Sequence, residues 1–282
     1  MRRKRAGHIL IKLVAALLII CAALLLLGKY GLSVTRYTLS SDRLPDSFEG
    51  FRIVQLSDLH GSEFGADNKR LVRAVADESP DIIVMTGDFI GKNQNCLPGL
   101  KILVDQLVTI APVYFVSGNH DWASGEIEDL ADMLANAGVT YLKNEYLPLT
   151  RGGESILLCG VEDPNGRADM IRPDELVDII NKDFPDSFVV LLGHRNYWIT
   201  KYPELKVDII FCGHSHGGII RIPGVGGLLG TSGELLPRYD AGLFESGRYV
   251  MIVSRGLGNS ISVPRFANTP EIVTLTLNKT QS

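Results

Sequence analysis

Asp58, His60, Asp88, Asn119, His120, His194, His214 and His216 are the residues of this chain best suited to chemistry, and all of them follow short apolar runs. Phe51 to Leu56 leads into Ser57-Asp58-Leu59-His60, and Ile82 to Thr86 leads into Gly87-Asp88. Residues 113–117 lead into Gly118-Asn119-His120-Asp121, and residues 188–192 into Gly193-His194. Residues 207–212 lead into Gly213-His214-Ser215-His216-Gly217-Gly218. Imidazole and carboxylate together suit divalent metals of intermediate hardness, with Mn, Fe and Zn all chemically acceptable. Asp88 is a carboxylate directly after a glycine, and one carboxylate can bridge two ions. Asn119 adds a neutral carbonyl oxygen. Asp58, His60, Asp88, Asn119, His194, His214 and His216 are thus potential ligands for two divalent ions. Two ions about 3.5–4 Å apart can clamp a phosphoryl group, activate a water and stabilise both axial oxygens. His120 is left over beside Asn119. Its natural role is to support a ligand or to protonate the leaving oxygen, oriented by Asp121 or a nearby carboxylate.

Each motif alone also fits ordinary structure. Gly-Asn-His suits a turn, and a single histidine is more often a hydrogen-bonded core residue than a ligand. Five motifs in order, each at the end of an apolar run, are what point to metal. Asp163, in Glu162-Asp163-Pro164-Asn165, reads as a capping or turn residue. Arg195 and Arg221 could hold a phosphate as bidentate forks, or serve as ion-pair partners. Tyr197 and Trp198 read as the core side of a short helix.

The elements that must position these residues follow from the same runs. A β-branched run of five or six residues ending at glycine reads as a buried strand leaving a sheet. Residues 66–77 read as a helix with Leu71, Val72 and Val75 on one face, and with the strands on either side they make a βαβ unit. Residues 126–137 read as a second helix, with Ser124 as N-cap and Gly138 as its end. Residues 155–160 read as a further strand, residues 173–181 as a third helix and residues 196–202 as a short fourth. After Gly218 the runs are short and β-type, at 249–254, 261–263 and 272–277, suggesting a second, more antiparallel sheet. The fold class is therefore α/β, with two sheets face to face and helices outside.

Composition bounds the rest. The chain has 282 residues and 45% hydrophobic content, enough for a sizeable core. Of its 28 basic residues, Arg2, Arg3, Lys4, Arg5 and Lys12 lie in the first 28 positions, leaving 23 basic against 32 acidic residues, a balance of −9. A domain that acidic lacks the footprint of a general nucleic-acid binder. Four cysteines without CxxC spacing argue against a disulfide framework or a structural zinc site.

The run from Ile9 to Leu27 is apolar except for Lys12, and its 19 residues cover most of a hydrocarbon core. Lys12 lies one turn in from the basic end and can snorkel. The run is longer than a signal-peptide core, and no small-x-small site follows it. It therefore reads as an uncleaved anchor. The expected organisation is a cytoplasmic basic tip and membrane anchor over 1–28, a stalk over 29–44, within which 33–39 alternates like an edge strand, and one domain over 45–282.

On these motifs the chain resembles the calcineurin-like metallophosphoesterases over roughly residues 45–280. Arg255-Gly256-Leu257-Gly258-Asn259 and Pro270-Glu271-Ile272 are similar to the membrane-anchored bacterial branch that includes YkuE- and YaeI-type proteins. The resemblance implies a four-layer α-β-β-α sandwich, two mixed β-sheets flanked by helices, with a dimetal centre at the strand ends. It implies one ion on Asp58, His60 and His216, a second on Asn119, His194 and His214, and Asp88 bridging them. It implies His120 as the residue that assists the leaving group. The chain departs from the pattern at Phe89-Ile90-Gly91, where some members carry a further Asp, at Arg195-Asn196, where relatives often have x-Pro, and at Ile219, where many have Gln. The activity expected is a dimetal-dependent phosphoester hydrolase, a phosphodiesterase acting at the membrane surface, with lipid-linked phosphoesters among the substrates expected. The alternatives are a pyrophosphatase of a nucleotide-linked glycolipid, or a non-catalytic scaffold on the same fold.

The basic cluster before the apolar run predicts that the N-terminus stays in the cytoplasm and the domain lies outside. Protease added to intact, wall-stripped cells should digest the domain while a cytoplasmic control survives. Protection until lysis would reverse the assignment.

Overall fold

Strands that are apolar at every position must be covered on both faces, and that requirement dictates the layers. The computed structural model describes residues 2–91, 95–167, 170–231 and 233–280. In chain order its elements are α1 (Arg2–Tyr30), β1 (Ser33–Ser41), β2 (Phe51–Leu56), α2 (Lys69–Asp77), β3 (Ile82–Thr86), α3 (Leu97–Leu107) and β4 (Val113–Val116). Then come α4 (Asn119–Ser124), α5 (Ile127–Ala137), β5 (Thr140–Tyr141), β6 (Glu145–Arg151), β7 (Glu154–Gly160), α6 (Pro173–Asp183) and β8 (Val189–Leu192). The chain ends with α7 (Trp198–Lys201), β9 (Ile209–Cys212), β10 (Ile220–Ile222), β11 (Gly226–Leu229), β12 (Gly242–Glu245), β13 (Val250–Val253) and β14 (Glu271–Lys279).

Two six-stranded sheets carry the fold, in the orders β1-β14-β2-β3-β4-β5 and β12-β13-β9-β8-β7-β6, and β10 and β11 form a separate hairpin. In the first sheet β2, β3, β4 and β5 run parallel, and β14 is antiparallel to β2. In the second, β7, β8, β9 and β13 run parallel between antiparallel edges. Both sheets are mixed.

Side chains alternate between the faces of each strand. Ile53, Ile82 and Val84 of the first sheet meet Val190, Leu192, Ile209 and Phe211 of the second between the sheets. The neighbouring residues Val54, Leu56, Ile83 and Met85 face outward onto Leu71, Leu100, Leu103 and Leu130 of the helices. On the other outer face, Leu191, Ile210 and Cys212 pack with Leu176, Ile180 and Trp198. These are the four layers α-β-β-α.

Several details differ from the sequence reading. The strands after Gly218 do not make a sheet of their own. β12 and β13 extend the second sheet, whereas β14 inserts between β1 and β2 of the first. Residues 261–263 form no strand. Asn119–Ser124 is a short helix, so the alternative of an ordinary turn at Gly-Asn-His does not hold, and Leu97–Leu107 is a helix with no counterpart in that reading. Within the segment read as a stalk, Ser33–Ser41 is an edge strand that pairs along its whole length with β14.

The inter-sheet layer makes a stability prediction. Phe211 is fully buried at its centre. Phe211→Ala removes a ring that neither sheet can collapse to replace, so unfolding in urea should show a loss of about 3–5 kcal/mol. A loss under about 1 kcal/mol would mean that the sheets do not pack as described.

Candidate metal centre

The parallel strands β2, β3 and β4 of one sheet and β8 and β9 of the other all end at the same edge, and the candidate ligands come directly after them. The loops are tied to each other by backbone bonds: Asp58 N to Gly87 O (2.9 Å), His60 N to Asp88 O (3.0 Å) and Gly213 N to His194 O (3.1 Å). Asp58, His60, Asp88, His214 and His216 all have positive φ, between 46° and 70°. Such backbone costs of order 1–3 kcal/mol per residue and concentrates at functional sites. The glycines beside them have a steric reason. A Cβ on Gly118 would overlap the Asp88 carboxylate, and one on Gly213 would overlap Ser57 and Asp58.

The result is two groups of ligand atoms that share Asp88. Asp58, His60, Asp88 and His216 place one ligand atom each within 4.8 Å of one another, and so do Asp88, His194 and His214. Asn119, on the first turn of α4, follows Gly118, whose backbone abuts the Asp88 carboxylate. His194 Nδ1 lies 2.8 Å from the Thr86 carbonyl. A carbonyl can only accept, so Nδ1 carries the proton and a neutral ring offers its Nε2 lone pair. That Nε2 lies 3.1 Å from Asp88 Oδ2, yet the pair is not aligned as a hydrogen bond. Among the described residues, Asp88 Oδ2, Asn119 Oδ1 and His194 Nε2 are buried atoms with no hydrogen-bond partner. His60 Nε2 and His216 Nε2 lie 3.2 Å apart, at hydrogen-bond distance. Buried acceptors without a partner are costly inside a protein unless a cation lies among them. The residues present therefore fit a divalent metal centre.

Electrostatics agree. Burial, with the cationic neighbours around it, pushes His60 down to about 3 and His214 to about 2, and drives His216 well below the usual range. All three are neutral imidazoles at neutral pH, the form that ligates. Burial also opposes a charge on His194, but the Asp88 and Asp58 carboxylates outweigh it and raise His194 to about 10. Burial, with the Asp88 charge, lifts Asp58 to about 6. Burial works against ionised Asp88, but the facing His194 and His60 hold it well below the ordinary carboxylate value. Without an ion, one proton on His194 thus compensates the charge of Asp88.

Asp121 does not orient His120. Its carboxylate accepts from the backbone N–H groups of Asp88 (2.8 Å), Phe89 (2.8 Å), Ile90 (3.0 Å) and Gly118 (2.8 Å). It is fully buried, and it fixes the loop that carries Asp88. His120 instead donates its backbone N–H to Asp88 Oδ1 at 2.7 Å, and its ring meets the His60 ring edge-on at 4.8 Å.

Arg195 also differs from expectation. Its bidentate face is taken by Asp163, through Nε to Oδ2 (2.5 Å) and Nη2 to Oδ1 (2.8 Å). Only Nη1 points to the centre, 3.0 Å from His214 Nε2. Asp163 is thus a buried anchor for Arg195 as well as a turn former, capping Asn165 N. Arg221 is occupied by Asp240 and the Gly217 carbonyl. Trp198 is core, and Tyr197 is exposed. Sequence reasoning missed two supports. Arg265 is buried beside His216 and donates to the Gly258 carbonyl. Asn268 donates to the His216 carbonyl at 2.7 Å. No spacing signal marks either one.

The centre lies between two clefts. One of about 380 Å³ is lined by His60, Ser62, Glu63, Asn68 and Cys96. The other, about 350 Å³, is lined by Tyr197, His214, Glu234, Arg238 and Tyr239. A larger cavity of about 590 Å³ beside Arg43 and Asp208 lies at the opposite strand ends and touches no candidate ligand.

Comparison with known proteins gives one family. The family described as "Calcineurin-like phosphoesterase" matches residues 51–218. The chain is 31% identical to an uncharacterized metallophosphoesterase of Aquifex aeolicus, over 89% of this chain and 94% of that protein. It is 27% identical to the phosphodiesterase YaeI of Escherichia coli, covering 82% and 84%. It is also 27% identical to the UDP-2,3-diacylglucosamine pyrophosphatase LpxG of Chlamydia muridarum, covering 82% and 85%.

Asp88 belongs to both ligand groups, so its loss should empty both. Asp88→Asn purified in parallel with the parent should lose most of its bound divalent metal by elemental analysis. Two ions per chain retained in that variant would contradict a bridging position.

Proposed function

Because the chain belongs to the calcineurin-like phosphoesterase family, we propose that it hydrolyses phosphodiesters at a membrane surface, with two divalent ions held around Asp88. The observation that carries this reading is the set of buried, partnerless atoms Asp88 Oδ2, Asn119 Oδ1 and His194 Nε2. In it, Asp58, His60 and His216 would hold one ion, Asn119, His194 and His214 would hold the other, and Asp88 would serve both. Mn, Fe and Zn all suit this mixture of imidazole, carboxylate and amide oxygen. Bound there, the ions supply Lewis-acid polarisation of the phosphoryl oxygens and a water acidic enough to attack at neutral pH.

The chain's own residues do the rest. Thr86 fixes the tautomer of His194 through its carbonyl, and Asp121 fixes the Asp88 loop through four N–H groups. Arg195, clamped by Asp163, holds Nη1 against His214, where its second N–H is placed to meet a phosphoryl oxygen. His120, beside Asp88 and in edge contact with His60, protonates the departing oxygen. A phosphodiester carries two organic groups, and the clefts at His60 and His214 offer room for one on each side. A monoester would leave one of them unused. The non-catalytic alternative has no support, since every candidate ligand and His120 are kept.

The relative with pyrophosphatase activity favours a second reading, because a pyrophosphate link also presents phosphorus between two large groups. Nucleotide-linked lipids are made where nucleotides are, so that reading requires the domain to face the cytoplasm.

His120→Gln should keep its metal and lose rate by about 10²–10⁴-fold on alkyl diesters, whose leaving oxygens need a proton. Nitrophenyl esters, whose leaving group departs as a stable anion, should lose far less. Equal losses on both substrates would remove His120 from the leaving-group step.

A further inference from the structure

The end of α1 is packed against the loops that hold the candidate metal ligands. Most of this helix is exposed, with Ile20 at 55% and Leu26 at 57%. Along one stripe the pattern breaks: Cys21 and Leu24 are half-buried and Gly28 is buried. A Cβ on Gly28 would overlap the Arg265 carbonyl, and one on Gly31 would meet the Thr269 methyl at 2.7 Å. Arg70 Nη1 donates to the Tyr30 carbonyl at 3.1 Å. Arg265 in turn donates to the Gly258 carbonyl, and Gly258 N donates to the Asp58 carbonyl at 2.6 Å. Two residues, Arg265 and Gly258, therefore link the helix to the loop of Asp58.

The apolar stretch Gly7–Tyr30 has 24 residues. At 1.5 Å per residue it is about 36 Å long, against a hydrocarbon core of about 30 Å. The contacts at Gly28, Tyr30 and Gly31 fall at the very end of that length. A domain surface that touches the helix there cannot stand clear of the bilayer. It lies at the depth of the headgroups.

The exposed apolar residues fall on the same side of the sequence and fold. Among the described residues outside α1, nine large apolar side chains are exposed, and five of them, Ile222, Val225, Leu235, Leu236 and Val263, lie in the segments after His216. Those segments form one continuous strip. Residue 265 touches the helix, Phe266 pairs with Ile219 and Arg221 beside it, β10 pairs with β11, and Leu236 N bonds to the Leu228 carbonyl of β11. Val225 is 65% exposed in the hairpin turn, and Leu235 is 74% exposed at the far side. Exposed apolar residues next to a docked transmembrane helix are what interfacial binding uses, with about 5–10 Å of insertion.

We propose that this strip is a lipid-binding surface. It seats the rim of the metal centre in the bilayer interface, so that the clefts open onto the headgroup layer and take phosphodiesters of membrane lipids without their leaving the membrane. The catalytic half of this proposal rests on the reading given above, and the membrane seating does not. A soluble protein partner would cover the same residues, but it would not account for the strip beginning at the anchor.

The test uses the full chain in phospholipid nanodiscs. Val225→Trp and Leu235→Trp report position through quenching by lipids brominated just below the headgroups, after subtraction of the parent signal from Trp122 and Trp198. Phe184→Trp is the control, since Phe184 is exposed just before β8 begins, at the opposite strand ends. Quenching at 225 and 235 and none at 184 is expected. No quenching at 225 and 235 overturns the proposal, whether the strip is bare or covered by protein.

The second arm is kinetic. Leu235→Glu/Leu236→Glu should lower turnover of a phospholipid diester in the discs by about tenfold or more, as expected for two leucines withdrawn from an apolar surface. Turnover of water-soluble bis-nitrophenyl phosphate should stay unchanged. Equal losses on both substrates overturn the lipid-feeding role and assign the leucines to the fold. If the parent turns over neither substrate, the catalytic reading fails, while quenching still decides the membrane seating.

Discussion

A carboxylate without water needs positive charge close by, and Asp88 is such a carboxylate. It is almost fully buried at the meeting point of both sheets. One oxygen is held by a backbone N–H at the start of α4, and the other is left facing two imidazoles. Much of the surrounding structure serves this arrangement. The four N–H groups that Asp121 gathers are those of the loops on either side of Asp88, so one buried acid positions another. The left-handed residues at the strand ends turn side chains inward where a regular strand would alternate them. Gln55 reaches across from the first sheet to the Cys212 carbonyl of the second, which ties together the two strand ends that carry Asp58 and His214.

The strand ends could be read from the sequence because a parallel sheet covered on both faces leaves an unmistakable pattern, a solid apolar run with an abrupt polar stop. The residues in the stops were recognisable by type. What those residues do to one another was less legible. Asp121 stands beside His120 in sequence, but it points to the backbone of residues 88–90, more than thirty positions away. Asp163 and Arg195 form a pair across thirty-two residues. Arg265 and Asn268 support His216 from a loop with no periodic signal. Helix α3 went unread although Leu100, Leu103, Val104 and Leu107 have helical spacing and Pro98 stands in its first turn, because no capping side chain marks its start. The two fates of the C-terminal strands could not be inferred from hydropathy, since β13 and β14 are equally apolar and pair with different sheets.

The departures from the family pattern now have physical content. Phe89 and Ile90, where some relatives carry an acid, are fully buried and give their N–H groups to Asp121. An acid there would sit in the core beside two existing carboxylates, so this chain has no room for one. Arg195, in place of the residue that often precedes proline in relatives, changes the rim of the centre. It brings a guanidinium to His214 while Asp163 neutralises most of its charge. The net effect is a donor without strong positive potential, which suits a diester, with its single negative charge, better than a monoester with two.

The order of strands also decides when the centre can be completed. β14 lies between β1 and β2, so the strand that delivers Asp58 has no partner on one side until the last thirty residues are present. Glu271, at the start of β14, accepts from Arg255 N and from the side chains of Arg255 and Thr35. It thereby joins β1 to the loop that approaches Asp58. The Thr35–Glu271 contact spans more than two hundred residues, and contacts of such separation are the slowest to form. A contact of Gly28 against the loop at residue 265 closes the fold around ligands that come from its middle. Because β14 lies between β1 and β2, the loop that carries Asp58 gains its full set of neighbours only when the early and late segments of the domain have joined.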